Sequence, residues 1–446
     1  RIADIHVCAF HNKYERLKHY CEKYPELIYR KDEEGNTPLH TAAKAAAKRT
    51  MKLLIKHMRL NPNEVNNQGY TALHLLIMSS AVHRDEIFHY VLERGFDDDQ
   101  LTASGKSCVL LAAEYNRMVI LKKLLDDGHD ANLPDQSGLN PIQCACSQGN
   151  LAMLQLLIEN EGNVHQSGMN GTYPVHDCIT GNNIEVLYAL LREQIDVNVT
   201  DPMYSQTPLM WAAQAGLGEF CRTLIIHNAD IQHKDYQGRT VAHYAAMCNV
   251  SDVYHALREA DVEFDVVDGE GNSPLHLSAY YGTVEMAKNI LHGGVYPSYQ
   301  NDVDGEQPSH IAAKYNQLEI LQLICEYDEY IGRPNFHHQT PLGLAKFYNC
   351  MECIDFLEKH YRMVDIVDGR NALGEIWWDK QIDEEVLSAW EVIVQPDGSR
   401  IYVNKVNGER SLKPPSVKSV DLVKDLAKKK NALPLRRVIE LVKEEA

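Results

Sequence analysis

Residues 271–294 read GNSPLHLSAYYGTVEMAKNILHGG, and variants of this short sentence recur along the chain. Aligned on Ser273-Pro-Leu-His276, the other copies are Thr37-Pro-Leu-His40, Thr71-Ala-Leu-His74, Ser107-Cys-Val-Leu110, Asn140-Pro-Ile-Gln143, Tyr173-Pro-Val-His176, Thr207-Pro-Leu-Met210, Thr240-Val-Ala-His243, Gln307-Pro-Ser-His310 and Thr340-Pro-Leu-Gly343. Successive tetrads stand 33 to 36 residues apart. A fixed period of this length marks a repeat array, in which no repeat buries its own apolar face and stability comes from the interfaces between neighbours.

The parts of each copy have separate physical reasons. Two residues ahead of most tetrads stands a glycine, such as Gly35, Gly105 or Gly305, where a tight turn needs positive φ. The Thr or Ser that opens the tetrad takes the helix-capping role, and Pro sits in the first turn, where its missing N–H costs nothing. Small pairs follow, as in Ala112-Ala113, Ala212-Ala213 and Ala312-Ala313, so that successive first helices can approach closely. Apolar pairs such as Leu124-Leu125, Leu190-Leu191 and Ile290-Leu291 then mark a bulkier second helix. Small inside and bulky outside predicts a stack that curves, with the first helices and turns lining its hollow face.

The period and the T-P-L-H-x-A signature resemble the ankyrin repeat. That resemblance implies an all-α solenoid of about eleven helix-turn-helix repeats with β-hairpin fingers, on the order of 100 Å long if neighbours stack about 10 Å apart. It implies that His40, His74, His176, His243, His276 and His310 tie neighbouring fingers together. Residues 34–367 are read as the repeats, 1–33 as an N-terminal capping repeat without a tetrad, and 368–389 as a degenerate last repeat and charged connector, with Trp377 and Trp378 covering the last interface.

In the ankyrin family the ligand-dependent positions are the finger tips and the two residues after the small pair of the inner helix. Carried over, these give Tyr115 early in the chain and an apolar, aromatic stripe from Met247 through Tyr280, Tyr281, Lys314, Tyr315 and Phe347 to Tyr348, extended by finger-tip residues Met203, Tyr204, Tyr236 and Phe336. Exposed aromatics in a row form a contact surface, because Tyr offers a large rigid area and one polar tip. The departures at Tyr173, which lacks the capping hydroxyl geometry of Thr, and at Ser205-Gln206, which lacks the glycine, predict irregular local fingers.

Composition narrows the function. Lys plus Arg total 44 against 62 Asp plus Glu, a formal charge of −18, which disfavours nucleic acid as a partner. No run of eighteen apolar residues occurs, so no segment is expected to insert in a membrane. Eleven cysteines without framework spacing suit a reducing compartment, and Cys350-Met-Glu-Cys353 lacks a second pair at zinc-site spacing. Neither a Gly-rich phosphate loop nor a G-x-S-x-G elbow is present, so the chain is read as a non-enzyme without cofactor or metal. Opening on Arg1 rather than Met, the chain is expected to be a piece of a longer one.

After the connector, residues 390–415 (WEVIVQPDGSRIYVNKVNGERSLKPP) read as three short strands with turns at Pro396-Asp397-Gly398 and Asn407-Gly408. This stretch resembles a WW domain, with Trp390, Tyr402, Asn404 and Pro415 at that family's folding positions. Ile401 and Leu412 stand where the family keeps its ligand-gripping aromatics, so the usual binding of proline-rich peptides is not expected. Residues 416–446 read as a helical tail of mixed basic and acidic character. Together these features predict a cytoplasmic scaffold that binds a protein partner through its groove. The alternative is a strut in a cytoskeletal or ciliary (axonemal) assembly, or the cytosolic arm of a larger channel or enzyme-targeting protein.

Overall fold

The computed structural model describes residues 2–57, 62–168, 171–328 and 331–368, together with strands at 390–394, 400–404 and 410–411; from residue 361 on it describes the backbone alone. Contacts divide the chain into two compact units, Arg1–Asp235 and Tyr236–Ala446.

The first unit opens on helices Ile2–Phe10 and Tyr14–Lys23 and a 3-10 turn at Pro25–Tyr29. Six inner helices follow, Pro38–Lys44, Ala72–Met78, Cys108–Glu114, Pro141–Ser147, Pro174–Gly181 and Pro208–Gln214, each trailed by an outer helix. In the second unit the inner helices are Val241–Ala246, Pro274–Tyr281, Pro308–Lys314 and Pro341–Phe347, and the outer ones Ser251–Glu259, Val284–His292, Leu318–Tyr327 and Met351–Asp368.

Local chemistry explains why each inner helix starts where it does. Thr37, Thr71, Thr207 and Thr340 accept the backbone N–H three residues on, and Asn140 Oδ1 accepts that of Gln143 at 2.9 Å. The alanines of the small pairs have no exposed surface (Ala112, Ala113, Ala212, Ala213, Ala312 and Ala313, all 0%). Where such a pair stands, only methyl groups face the neighbouring inner helix. Between Pro141–Ser147 and Pro174–Gly181, where the pair is Cys178-Ile179, the close approach is at Gly181, whose added Cβ would lie 2.1 Å from the Cys146 carbonyl oxygen.

The tetrad histidines are the ties between repeats. Nδ1 of His276 accepts the Ser273 backbone N–H at 3.0 Å, which leaves the proton on Nε2, and Nε2 donates to the Glu306 carbonyl of the next finger at 3.0 Å. The same pair of bonds links His40 to Tyr70, His74 to Gln100, His176 to Gln206, His243 to Asn272 and His310 to Gln339. Where Gln143 replaces His, its amide plays both parts: Oε1 accepts from Asn140 N–H and Nε2 donates to the Thr172 carbonyl. Burial lowers the pKa of His40, His74 and His176 and pushes His276 and His310 down to about 4.

The β-hairpin fingers expected from the resemblance are not paired strands. Each finger closes as a tight turn with one bond across its base, as from Asp32 N–H to the Asn36 carbonyl at 2.9 Å. Five or six residues leave no room for a ladder, and in most fingers the first residue's side chain takes inner N–H groups instead: Asp268 Oδ1 accepts from Glu270 at 3.0 Å and Asn272 at 2.8 Å. Neighbouring fingers join by single backbone bonds, from Asp302 N–H to the Glu270 carbonyl at 2.8 Å and from Phe336 N–H to the Asp304 carbonyl at 2.8 Å. At the irregular finger 201–206, Ser205 takes φ 61° in place of glycine, and Asp201 accepts the N–H groups of Met203, Tyr204 and Gln206.

The final helix runs to Asp368, where the sequence pattern begins the next finger. Strands Trp390–Val394, Arg400–Asn404 and Arg410–Ser411 form an antiparallel sheet in chain order, with Trp390 opposite Asn404 and Tyr402 opposite Ser411. Their side chains lie outside the described residues, as do the connector with Trp377 and Trp378, Pro415 and the tail 416–446.

Candidate protein-interaction face

In the second unit Met247, Tyr280, Lys314 and Phe347 stand at or next to the end of their inner helices. Met247 and Lys314 are partly buried there, whereas Tyr280, Tyr281, Tyr315, Phe347 and Tyr348 are exposed, Tyr281 to 51% and Phe347 to 70%.

These rings touch within repeats and, at one point, across them. Tyr280 meets Tyr281 edge-on at 5.0 Å between centroids and Tyr315 of the next repeat at 4.8 Å, and Phe347 meets Tyr348 at 5.1 Å. Lys314 Nζ lies 6.0 Å from the Tyr315 ring centre and 5.9 Å from that of Tyr348, and 3.5 Å from Glu306 Oε1. Partial burial works against that ammonium, but Glu306, Tyr348 and Tyr315 outweigh it and raise its pKa. Glu306 is itself pushed up by burial, with Lys314 opposing.

The expected stripe is shorter than its sequence pattern. Met247 is half-buried and Cys248 is buried at 8%, its Sγ donating to the Ala245 carbonyl at 3.2 Å. The helix Val241–Ala246 ends one residue early, which carries Cys248 inward. On the fingers, Tyr236 is exposed to 73%, and Phe336 lies across Gly305, whose added Cβ would fall 2.5 Å from the ring.

In the first unit the corresponding positions carry Glu114-Tyr115, Ser147-Gln148, Thr180-Gly181 and Gln214-Ala215. Tyr115 is half-buried, and Tyr204 is exposed on its finger. Lys106 Nζ reaches Glu114 at 2.6 Å. This is the same strut as Glu306 to Lys314 with its charges exchanged, since both pairs join the residue before a tetrad to the residue seven past the tetrad's first position. The strut was not anticipated from the sequence, although opposite charges eight residues apart at equivalent places would have signalled it.

The chemistry available elsewhere is limited. The eleven cysteines are free thiols and nine of them are buried. Burial pushes Cys144 and Cys353 up to about 12, which removes the nucleophilic thiolate at neutral pH. Among the described residues no cluster of His, Cys, Asp and Glu has a metal-holding arrangement, and no helix is long and apolar enough to cross a membrane.

The family profile described as ankyrin repeats (3 copies) matches overlapping stretches 5–101, 109–201, 175–268, 209–301, 257–335 and 275–368, well over half of the chain. The chain belongs to the ankyrin-repeat family. Ankyrin-repeat proteins are in general adaptors for protein–protein interaction, and the ankyrin fold is in general non-enzymatic. Among similar proteins, one from Danio rerio named as a palmitoyltransferase, ZDHHC13, is 28% identical over 142 residues, 32% of this chain and 22% of that protein. The ankyrin repeat-containing protein YGL242C of Saccharomyces cerevisiae is 31% identical over 113 residues, 24% of this chain and 62% of that protein. Inversin of Canis lupus familiaris is 26% identical over 157 residues, 34% of this chain and 14% of that protein. The matched part of the chain thus spans less than two thirds of each relative's length. Among solved structures, the human ASB11 ankyrin repeat domain aligns over 48% of this chain and 96% of that one, with 23% identity and a TM-score of 0.44.

Proposed function

We propose that this ankyrin-repeat chain is a non-enzymatic adaptor that holds a protein partner on the tyrosine-lined inner face of its second unit. The observation that carries the reading is the run of ring contacts from Tyr281 through Tyr280 to Tyr315, with Lys314 set between Tyr315 and Tyr348. Rigid rings already held in place lose little conformational freedom on binding, so several such contacts translate into affinity. Finger-tip residues Tyr236 and Phe336 flank this face in our reading, and Tyr115 and Tyr204 offer smaller contacts on the first unit. Eleven free cysteines support a reducing, cytoplasmic setting. The acidic balance of −18 argues against nucleic acid.

We read the three-stranded sheet at residues 390–411 as a WW-like module that serves docking or structure rather than capture of proline-rich ligands, because Ile401 and Leu412 replace the gripping aromatics. The N-terminal helices before residue 33 act in this reading as the first cap.

The test compares crosslinked partners of the intact chain with those of a variant carrying Tyr280, Tyr281, Tyr315 and Tyr348 changed to Ala, after circular dichroism establishes equal helix content. A discrete set of proteins lost from the variant supports the adaptor reading. Retention of the same set by the variant contradicts it.

A further inference from the structure

Lys314 already displays, within the chain, a cation seated on this face. Its ammonium is about equally far from two tyrosine rings and is paired with the buried Glu306. One repeat earlier the same framework lacks the cation. The residue equivalent to Lys314 is Tyr280, the one equivalent to Tyr315 is Tyr281, and the one equivalent to Glu306 is Asn272. Asn272 turns its side-chain N–H to Glu270 Oε2 at 3.2 Å, and the neighbouring finger tip, joined to Glu270 by the backbone bond from Asp302, carries a second carboxylate. Glu270 and Asp302 are exposed, and among the described residues neither has a basic side chain within ion-pair distance. Nearby basic side chains are already engaged: Lys314 with Glu306, Arg239 with Asp268 at 3.5 Å, and His337 with Asp304 at 3.2 Å.

We infer that the rung formed by Tyr280, Tyr281, Glu270 and Asp302 receives an arginine or lysine of an extended segment in the protein partner. This rests on the reading of the tyrosine face as the binding face and specifies the chemistry of its ligand. A guanidinium fits best, because it stacks flat on a tyrosine ring while its N–H groups reach a carboxylate. The rings supply area, and the two carboxylates supply the sign that selects a basic segment over an acidic or neutral one.

The experiment uses a displayed library of random twelve-residue peptides, selected on the full chain and counter-screened on a Tyr280→Ala, Tyr281→Ala variant. The inference expects peptides that depend on the tyrosines to be enriched in Arg and Lys severalfold over the library. Resynthesised with citrulline in place of Arg, they should bind at least tenfold more weakly. On a Glu270→Gln, Asp302→Asn variant, which keeps the tyrosines and the finger geometry, the Arg peptides should weaken by a similar factor. Asp98→Asn in the first unit should leave them unchanged. Tyrosine-dependent peptides without cation enrichment, or with equal affinity for the Gln/Asn variant, would overturn the inference and leave the adaptor reading standing. Absence of any tyrosine-dependent peptide would overturn both. A synthetic peptide of residues 416–446 that binds in trans through Glu270 and Asp302 would replace the external partner by the chain's own end, and so contradict the assignment to a partner protein.

Discussion

Lys106 bonded to Glu114 beside Tyr115, and Glu306 bonded to Lys314 beside Tyr315, occupy the same three repeat positions in the two units with opposite charges. The scaffold therefore fixes where a strut runs and leaves its sign to the surface. The rungs diverge further. In the first unit the rungs after Tyr115 end in Gln148, Gly181 and Ala215, and in the second those after Cys248 end in Tyr281, Tyr315 and Tyr348. Beneath both lies one kind of tie, the histidines at 40, 74 and 176 in the first unit and at 243, 276 and 310 in the second, and alanine pairs recur in both, at 112–113 and 212–213 and at 245–246 and 312–313. Scaffold and recognition surface are thus separable sets of residues, and perturbing one set should spare the other.

The largest effect should come from the shared scaffold. Changing His276 to Ala leaves a buried N–H and a buried carbonyl without partners, and His176 to Ala leaves part-buried ones, so each should lower the local opening free energy of the affected repeat by on the order of 3 kcal/mol, somewhat less at His176. Native-state hydrogen exchange on the neighbouring helices measures it. A loss in one unit and none in the other would break the claim of a common scaffold.

Acid should separate the units. Burial lowers the folded pKa of His276 and His310 to about 4, below the ordinary histidine value near 6.5. The unfolded chain therefore takes up protons that the folded one refuses. Stability is full above pH 6.5 and falls between 6.5 and 4, by on the order of 3 kcal/mol per histidine at the lower limit. In the first unit His40, His74 and His176 act in the same direction, but Asp177, pushed up to about 6 by burial, acts in the opposite one. Its folded form becomes more stable as pH drops from about 6 toward the ordinary carboxyl value, which offsets part of the loss. Hydrogen exchange at pH 7 and pH 5 should show a greater loss of protection in helix Pro308–Lys314 than in helix Pro174–Gly181.

The strut offers a smaller and sharper test. Glu114→Lys alone sets two ammonium groups together and should destabilise by about 1 kcal/mol, and the exchanged pair Lys106→Glu, Glu114→Lys should recover most of it, because both ends are partly solvated. Thermal melts of the single and double variants check the recovery. Smallest of all on stability should be Tyr281→Ala, under about 0.5 kcal/mol by the same melts, since the ring is half exposed and supports no neighbour's backbone.

Much of the scaffold was legible in the sequence because its determinants are local. Glycine two residues before a tetrad, a capping hydroxyl, Pro at the first helical position and His at the fourth all act within one repeat and recur in phase. What was not legible depends on neighbours. The resemblance implied hairpin fingers, but Asp268 and its equivalents satisfy the inner N–H groups and leave a turn. Cys248 occupies a partner-facing position by count, yet the early end of helix Val241–Ala246 turns it inward. The irregular finger at Ser205 was readable from its missing glycine, but not the way Ser205 keeps φ 61° while the Asp201 carboxylate accepts the finger's N–H groups. The tyrosine positions were readable, whereas the seat of Lys314 between two of them required coordinates.

The most direct test of the separation between scaffold and recognition surface places a photo-reactive phenylalanine analogue at one rung of each unit, Gln148 in the first and Tyr281 in the second, in otherwise unaltered full-length chain exposed to native lysate. The account predicts a discrete crosslinked protein from position 281 and none from position 148. Crosslinking of equal strength at both, or at 148 alone, would contradict it.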